Sequence, residues 1–151
     1  MMRRIGETWR EGKPYRDRPG VYAIIAGRLG DGRTGMLCVD QEGEIQLPGG
    51  GIDPGEQPLA ALHREVWEET GWRIAEPRRF CSFQRFAWLP DYLYWARKTQ
   101  TIYLARAVQR MGPPQEPGHS PHWLTPQSAA GLLSVAGDRW ALGLAMARGL
   151  I

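Results

Sequence analysis

The sequence has few cysteines and no long apolar run. Cys38 and Cys81 are its only cysteines and lack metal-ligand spacing. We expect two free thiols in a reducing compartment rather than a disulfide. The longest apolar run, Val21 to Ala26, is too short to cross a bilayer. The charged start, Met1 to Trp9, lacks the apolar core of a signal peptide. The sequence therefore predicts a cytoplasmic protein without a membrane partner.

The chain has no internal repeat and no linker that would divide it. Its 151 residues fit a single domain, predicted over 1–151. The net charge of +3 is compatible with an anionic partner. Cations are densest between Arg3 and Arg18. We interpret residues 1–19 as a mobile N-terminal extension, with a nucleic-acid-binding arm as the alternative.

Hydrophobic periodicity predicts a mixed arrangement of strands and helices. Strands precede a central helix, and further strands and helices follow it. This order is typical of a mixed α/β sandwich. The predicted strands are 20–27, 36–39, 44–47, 78–87, 100–108 and the short 122–124, and the predicted helices are 58–70, 126–133 and 138–150.

The central helix has the clearest boundaries. Pro58 suits its first turn, and Gly71 suits the position just past its end. Leu59, Leu62 and Val66 recur at helical spacing and predict an apolar stripe that faces the core.

The same helix carries an unusual set of acidic residues. Glu65, Glu68 and Glu69 fall within roughly a 100° arc of the helix surface. They repel one another, and they lie in the later turns, where the helix dipole disfavours anions. A divalent cation would remove this conflict, because carboxylate oxygens suit Mg²⁺ or Mn²⁺. The alternative is an acidic surface without function.

The glycine-rich turn Pro48–Gly51 precedes this helix and lets the backbone approach the carboxylates closely. Counted from Gly50, five residues lead to Glu56 and seven more lead to Arg64–Trp72, which reads REVWEETGW. This spacing resembles the complete signature of the Nudix hydrolase family. Only Trp72 departs from it, since an aliphatic residue is usual there.

The resemblance implies a Nudix-type α/β/α sandwich with a mixed β-sheet and a site for Mg²⁺, which Mn²⁺ can replace. Glu65, Glu68 and Glu69 would be metal ligands, joined by the backbone carbonyl of Gly49. Glu65 would bind metal, act as the general base, or do both.

The resemblance also implies a supporting set around the carboxylates. Arg64 would belong to the catalytic group and hold carboxylates in place, and Glu56 would pair with it across the loop. Gly50 and Gly71 would shape the turn and the end of the helix. Simple stabilisation of the loop by the Arg64–Glu56 ion pair is compatible with this role.

Some members of the family take a further ligand or base from a downstream residue. Glu116 is the leading candidate for this role and His119 is the second, while a solvated loop position is the alternative for Glu116. Specificity should arise outside the signature, where an arginine could hold a phosphate and an aromatic ring could stack on a base. The candidates are Tyr22, Arg85, Phe86 and Trp88, each with core or dimer packing as its alternative.

The resemblance implies hydrolysis of a phosphoanhydride bond in a nucleoside diphosphate linked to another moiety, such as a nucleoside triphosphate, ADP-ribose or a nucleotide sugar. Pro90 and Tyr92 are displaced from the positions typical of two subfamilies, so no subfamily is assigned. The alternatives are a nucleotide sensor without activity and an RNA 5′-end pyrophosphohydrolase. No stripe of cations interleaved with aromatic residues supports RNA, so a small nucleotide is favoured over nucleic acid. The family resemblance also allows a homodimer.

Overall fold

The computed structural model describes residues 2–151, which form eight strands and three helices. The helices are α1 (Pro58–Thr70), α2 (Pro126–Leu132) and α3 (Ala136–Ala147). The strands are β1 (Arg3–Arg4), β2 (Arg16–Arg28), β3 (Thr34–Gln41), β4 (Glu44–Gln46), β5 (Gly49–Gly51), β6 (Trp72–Leu89), β7 (Tyr94–Arg110) and β8 (His119–Leu124).

The eight strands belong to one mixed sheet. Its main path runs β1-β6-β7-β2-β3-β4, with β5 paired to β2 and β8 paired to β3. The pairs β1–β6 and β2–β7 are parallel, and the others are antiparallel. Strand β2 therefore lies between β7 on one side and β3 and β5 on the other. This central position brings residues from distant parts of the chain together.

Helices cover both faces of this sheet. Successive side chains of a strand point to opposite faces. In β2, Val21, Ala23 and Ile25 pack with α1, whereas Ile24 packs with α2 and α3. A strand buried on both faces is apolar at successive positions, which explains the apolar run in the sequence. The predicted α/β/α sandwich is confirmed.

Helix α1 has the predicted bounds, but its apolar stripe differs from the prediction. Leu62 and Val66 are fully buried, and Ala61 joins them in the core. Leu59 is 45% exposed, so its place in the stripe was wrong. The last two turns hold the helix against the sheet, while the first turn projects into solvent.

Most strands are longer than periodicity predicted. The strand expected at 78–87 spans Trp72–Leu89, and the one expected at 100–108 spans Tyr94–Arg110. Together they form a long hairpin, because backbone pairing continues through polar residues that a sequence pattern assigns to loops. The glycine turn also differs from expectation, since Gly49–Gly51 pairs with β2 as a short strand.

Part of the predicted N-terminal extension belongs to the sheet. Arg3 and Arg4 pair with β6, and β2 begins at Arg16 rather than at Gly20. The added residues of β2 run parallel to β7. This extension of β2 places Arg18 in the sheet beside the site described below.

Candidate active site

The acidic helix α1 is fixed at both ends by its flanking residues. Pro58 occupies the first turn, where its missing N–H costs no helical hydrogen bond. Gly71 ends the helix with φ +76°, a left-handed conformation that favours glycine, and its N–H donates to the carbonyl of Trp67. These two ends set the position of the carboxylates along the sheet.

The loop after β7 attaches to the last turn of α1. The N–H groups of Gln115 and Glu116 donate to the carbonyl of Glu68 at 2.7 and 2.9 Å. The N–H of Met111 donates to the carbonyl of Gly71 at 2.7 Å. The last carbonyls of a helix lack partners within it, so this loop satisfies them. The attachment brings Glu116 and His119 to the cavity beside α1.

Glu69 is the most deeply buried of the three carboxylates. Its side chain accepts a hydrogen bond from the N–H of Gly49 at 2.8 Å, and its Oε2 lies 3.1 Å from Nε2 of His119. Burial, together with the charges of Glu65 and Glu116, raises the pKa of Glu69 to about 8 against the opposing effect of the Gly49 hydrogen bond. The site therefore gathers acidic groups where little solvent reaches them.

Arg64 lies at the centre of the carboxylate network. Its guanidinium donates to both oxygens of Glu56, at 2.8 and 2.9 Å, and to Glu65 and Glu68 at 3.0 and 3.2 Å. It also donates to the carbonyl of Gly51 at 3.3 Å. These bonds lower the pKa of Glu56 to about 2 and raise that of Arg64. One planar cation thus ties the helix to the preceding loop.

Replacing Arg64 with lysine tests this arrangement. Lysine keeps the charge but cannot donate simultaneously to Glu56, Glu65 and Glu68, because its ammonium group lacks the planar fork. We expect kcat/KM to fall about 10- to 100-fold, and the Mg²⁺ concentration for half-maximal activity to rise. Steady-state kinetics across a Mg²⁺ titration measure both effects. Kinetics equal to wild type would contradict a positioning role, and Arg73→Lys on exposed β6 is the matched control.

The glycine turn gives the backbone close access to the carboxylates. The N–H of Gly49 donates to the carboxylate of Glu69. At Gly50, an added Cβ would lie only 2.5 Å from the carboxyl carbon of Glu65. The position of Glu65 therefore requires a residue without a side chain.

The donor chemistry here fits a divalent cation. Hard carboxylate oxygens of Glu65, Glu69 and Glu116 line one cavity with the backbone of Gly49. Burial and mutual repulsion raise the pKa of Glu65 and Glu69, a conflict that a cation would relieve. Within residues 2–151, however, no three acidic, His or Cys side chains already converge as a metal site. Glu68 is turned towards Arg64 instead.

A row of cations lines the same cavity. Arg18 of β2 lies directly across from Lys98 of β7, which in turn lies across from Arg85 of β6. Like charges in directly opposite positions destabilise a sheet. Burial, together with the charges of Arg85 and Arg18, lowers the pKa of Lys98 to about 8. None of these three cations has a carboxylate within 4.0 Å among the residues described. An anionic ligand would offset their repulsion.

Two polar groups at the cavity floor have unpartnered oxygens. Asp138 of α3 and Gln100 of β7 are each 2% exposed and line the cavity. Within the described part of the chain, Oδ1 of Asp138 and Oε1 of Gln100 accept no hydrogen bond. Burial raises the pKa of Asp138 to about 7, opposed by the charges of Arg85 and Lys98. Buried unpartnered oxygens cost stability and are ready to bind polar groups of a ligand.

Replacing Asp138 with asparagine should change how stability depends on pH. With its pKa raised to about 7, Asp138 binds more proton in the folded state than in the unfolded state between about pH 4 and 7. Its contribution to stability is therefore complete below pH 4 and is lost as the pH rises towards 7. We expect Asp138→Asn to remove a decline of up to about 1.4 kcal/mol per pH unit.

Denaturant unfolding of the two proteins across this pH range measures the difference. Asp91→Asn is the control, because Asp91 is exposed on the β6–β7 hairpin. Parallel stability curves for wild type and Asp138→Asn would contradict the raised pKa.

The structure places the predicted specificity residues in two different regions. Tyr22 and Arg85 line the cavity. Phe86 is buried against Tyr15, and Trp88 is exposed on the hairpin, so the structure places neither in the cavity. Both side chains belong to β6 outside this cavity, so any part that they take in substrate binding stays a prediction.

Sequence reasoning missed Arg18, Lys98, Gln100 and Asp138. They come from β2, β7 and α3, far from the family signature, and only strand register brings them together. The one sequence signal was polarity inside segments that form buried strands.

None of the helices in the described residues is long and apolar enough to span a membrane.

The protein is thus an α/β protein in which acidic side chains of a helix and a row of cations from the sheet line one cavity. Residues 16–142 match the model of the NUDIX domain. This match covers most of the chain, so the protein belongs to the NUDIX family, and the resemblance of its signature is confirmed.

Curated relatives match over shorter stretches. The chain is 43% identical over 68 residues to an RNA pyrophosphohydrolase of Bartonella henselae, a match that covers 42% of this chain and 39% of the relative. It is 38% identical over 88 residues to an RNA pyrophosphohydrolase of Bradyrhizobium diazoefficiens, covering 56% of this chain and 48% of the relative. The chain thus spans at most about half the length of these relatives.

Solved structures share the fold. The NUDIX domain of Shewanella oneidensis NrtR, in complex with ADP ribose, superimposes with a TM-score of 0.70 at 18% identity, and 88% of each chain is covered. At this identity the likeness establishes the fold alone.

Proposed function

We propose that this protein hydrolyses a phosphoanhydride bond in a nucleoside diphosphate linked to another moiety, with Mg²⁺ or Mn²⁺ as cofactor. One observation carries the proposal. Glu65 and Glu69 of α1 line a single cavity of about 330 Å³ together with the cation row Arg18–Lys98–Arg85. A diphosphate with its divalent cation would satisfy both walls at once.

The residues of the two walls would have distinct roles. Glu65, Glu68 and Glu69 would hold the cation with the carbonyl of Gly49, and Glu116 would add a ligand. When bound, the cation supplies charge neutralisation and lowers the pKa of water. Glu68 would reach it by exchanging its bond with Arg64.

On the substrate side, Arg18, Lys98 and Arg85 would hold phosphate oxygens and orient the diphosphate for in-line attack. Water attacks one phosphorus, the bond from that phosphorus to the bridging oxygen breaks, and a carboxylate accepts the proton of the water. Glu65 is our choice for this base, because Gly50 holds it against the turn in the cavity wall. The products are a phosphate monoester and a second phosphate-bearing fragment.

Nucleoside triphosphates, ADP-ribose and nucleotide sugars all satisfy this scheme. An RNA 5′ end is a second candidate, supported by the names of the Bartonella and Bradyrhizobium relatives. A sensor without activity is disfavoured, because Glu56, Arg64, Glu65, Glu68 and Glu69 are all present.

A turnover screen tests the proposal. Wild type and Glu68→Gln would be incubated with Mg²⁺ or Mn²⁺ and a panel of nucleoside triphosphates, ADP-ribose, nucleotide sugars and 5′-triphosphorylated RNA, with detection of released phosphate and pyrophosphate. We expect metal-dependent cleavage of at least one substrate and its loss in Glu68→Gln. Ligand binding without turnover across the panel would replace the hydrolase with a sensor.

A further inference from the structure

The N-terminal segment lies along the tip of the β6–β7 hairpin and places its cations on aromatic rings. Arg18 lies over Tyr92 at 4.7 Å and Arg16 over Tyr94 at 4.8 Å, measured to the ring centroids. Lys13 and Arg10 lie over Trp95 at 4.9 and 5.8 Å. These separations are typical of cation–π contacts. We name this region the basic–aromatic surface; it consists of Arg10, Lys13, Arg16, Arg18, Trp88, Tyr92, Tyr94 and Trp95.

Aromatic rings hold these cations without neutralising them. Among residues 2–151, none of the four has a carboxylate within 4.0 Å. Residues 3–18 carry six Lys or Arg and three Asp or Glu. Residues 85–98 carry three Lys or Arg and one Asp. The two segments therefore have a net charge of +5, whereas the whole chain has +3. Positive charge is concentrated here and remains available to phosphate groups.

The same surface exposes flat apolar rings. Trp88 is 43% exposed, Tyr92 is 59% exposed, and Trp9 nearby is 45% exposed. Proteins bind single-stranded nucleic acid with two elements: exposed aromatic rings, which stack on bases, and cations, which follow the backbone. Both elements are present on this surface. An acidic peptide would use the cations but would leave the rings without a partner.

The basic–aromatic surface is continuous with the catalytic cavity. Arg18 lines the cavity, and its guanidinium donates to the hydroxyl of Tyr94 at 3.2 Å while it lies over Tyr92. A chain whose 5′ phosphates occupy the cavity would pass Arg18 and continue onto the hairpin. The cation row of the cavity and the exposed rings of the basic–aromatic surface thus form one continuous path.

We propose that the basic–aromatic surface binds a single-stranded polynucleotide, with its 5′-terminal polyphosphate in the cavity. The proposal names the substrate class and rests on the proposed hydrolase function for the reaction itself. The sequence favoured a small nucleotide, because its cations and aromatics are not interleaved along the chain. The structure interleaves them by packing the N-terminal segment against the hairpin.

Binding is tested separately from hydrolysis. A short single-stranded RNA with a fluorescent label and a 5′-hydroxyl end has no phosphoanhydride to cleave, so its anisotropy titration reports the surface alone. We expect Arg10→Gln/Lys13→Gln/Arg16→Gln to weaken binding and to reduce the slope of log K against log salt by about 2, since each phosphate contact on a single strand contributes about 0.7. We expect Trp88→Ala/Tyr92→Ala to weaken binding about tenfold at every salt concentration.

The matched control is Arg73→Gln/Arg110→Gln. Both arginines are exposed at the opposite end of the same β6–β7 hairpin. The control should bind RNA like wild type, and thermal unfolding should confirm that each variant is folded. Equal weakening by the control would overturn the proposal, because it would show that RNA is attracted by positive charge in general, and unchanged binding by both surface variants would overturn it as well. Single-stranded DNA and duplex RNA of the same sequence identify the preferred polymer, and tighter binding of the duplex would also overturn the proposal.

Turnover then links the surface to the cavity. We expect the triple variant to lower kcat/KM for 5′-triphosphorylated RNA about tenfold relative to its kcat/KM for a nucleoside triphosphate. An unchanged ratio would overturn the link between surface and cavity. Absence of all turnover with intact RNA binding would instead contradict the proposed hydrolysis and leave the binding surface standing.

Discussion

Glu69→Gln is expected to remove metal-dependent turnover while it stabilises the metal-free protein. Glutamine keeps an acceptor for the N–H of Gly49 but loses the charge that would bind the cation. We expect a loss of more than about 100-fold in kcat, because even residues that only support metal ligands contribute that much. Burial raises the pKa of Glu69 to about 8, so folding at pH 7.5 requires this carboxyl to take up a proton. Removing that cost should raise the free energy of unfolding by up to about 4 kcal/mol.

Denaturant unfolding and steady-state kinetics, each with and without Mg²⁺, measure both effects. Added Mg²⁺ should stabilise wild type and leave Glu69→Gln unchanged, because a ligand stabilises only the folded state that binds it. Glu11→Gln, at an exposed position outside the cavity, is the matched control. A variant that is less stable and still active would assign Glu69 a structural role between Gly49 and His119.

Gly50→Ala is expected to lower activity about 10- to 100-fold with little change in stability. The new methyl group would lie 2.5 to 2.7 Å from the three carboxyl atoms of Glu65. The far end of a flexible side chain can move away, so the fold should tolerate the substitution. The displaced carboxylate should then bind the cation and the attacking water poorly. The expected signature is a raised Mg²⁺ requirement at a nearly unchanged melting temperature.

Gly30→Ala provides the comparison for this substitution. An added Cβ at Gly30 would meet no atom within 4 Å. Full activity in Gly50→Ala would show that Glu65 works equally well elsewhere, and a large loss of stability would show that the turn itself had been disrupted. Metal titrations of both variants separate these outcomes.

Much of the acidic wall could be predicted from the sequence because its determinants are local. Pro58 and Gly71 mark the ends of α1, and helical periodicity puts Glu65 and Glu69 on one face. The hydrogen bonds of Arg64 to Glu56 and Glu65 also agree with the sequence prediction. These residues lie within one short segment, where backbone geometry alone decides which side chains meet.

The basic wall could not be predicted, because it depends on register between distant strands. Arg18, Lys98 and Arg85 become neighbours only when β2 pairs in parallel with β7 and β7 pairs with β6. A shift of one residue would turn each side chain to the opposite face of the sheet. Nothing in the local pattern around these residues specifies that register.

The sequence by itself determined the family, the layer order and the acidic helix, because each follows from local periodicity and fixed spacing. Only the tertiary structure decided which cations face that helix and where the aromatic residues lie. Strand pairing placed Arg18 beside both the cavity and Tyr92, and the packing of the N-terminal segment placed Lys13 on Trp95. The physical reason is that contacts between distant segments depend on how the buried faces of the whole sheet pack, which no single segment encodes.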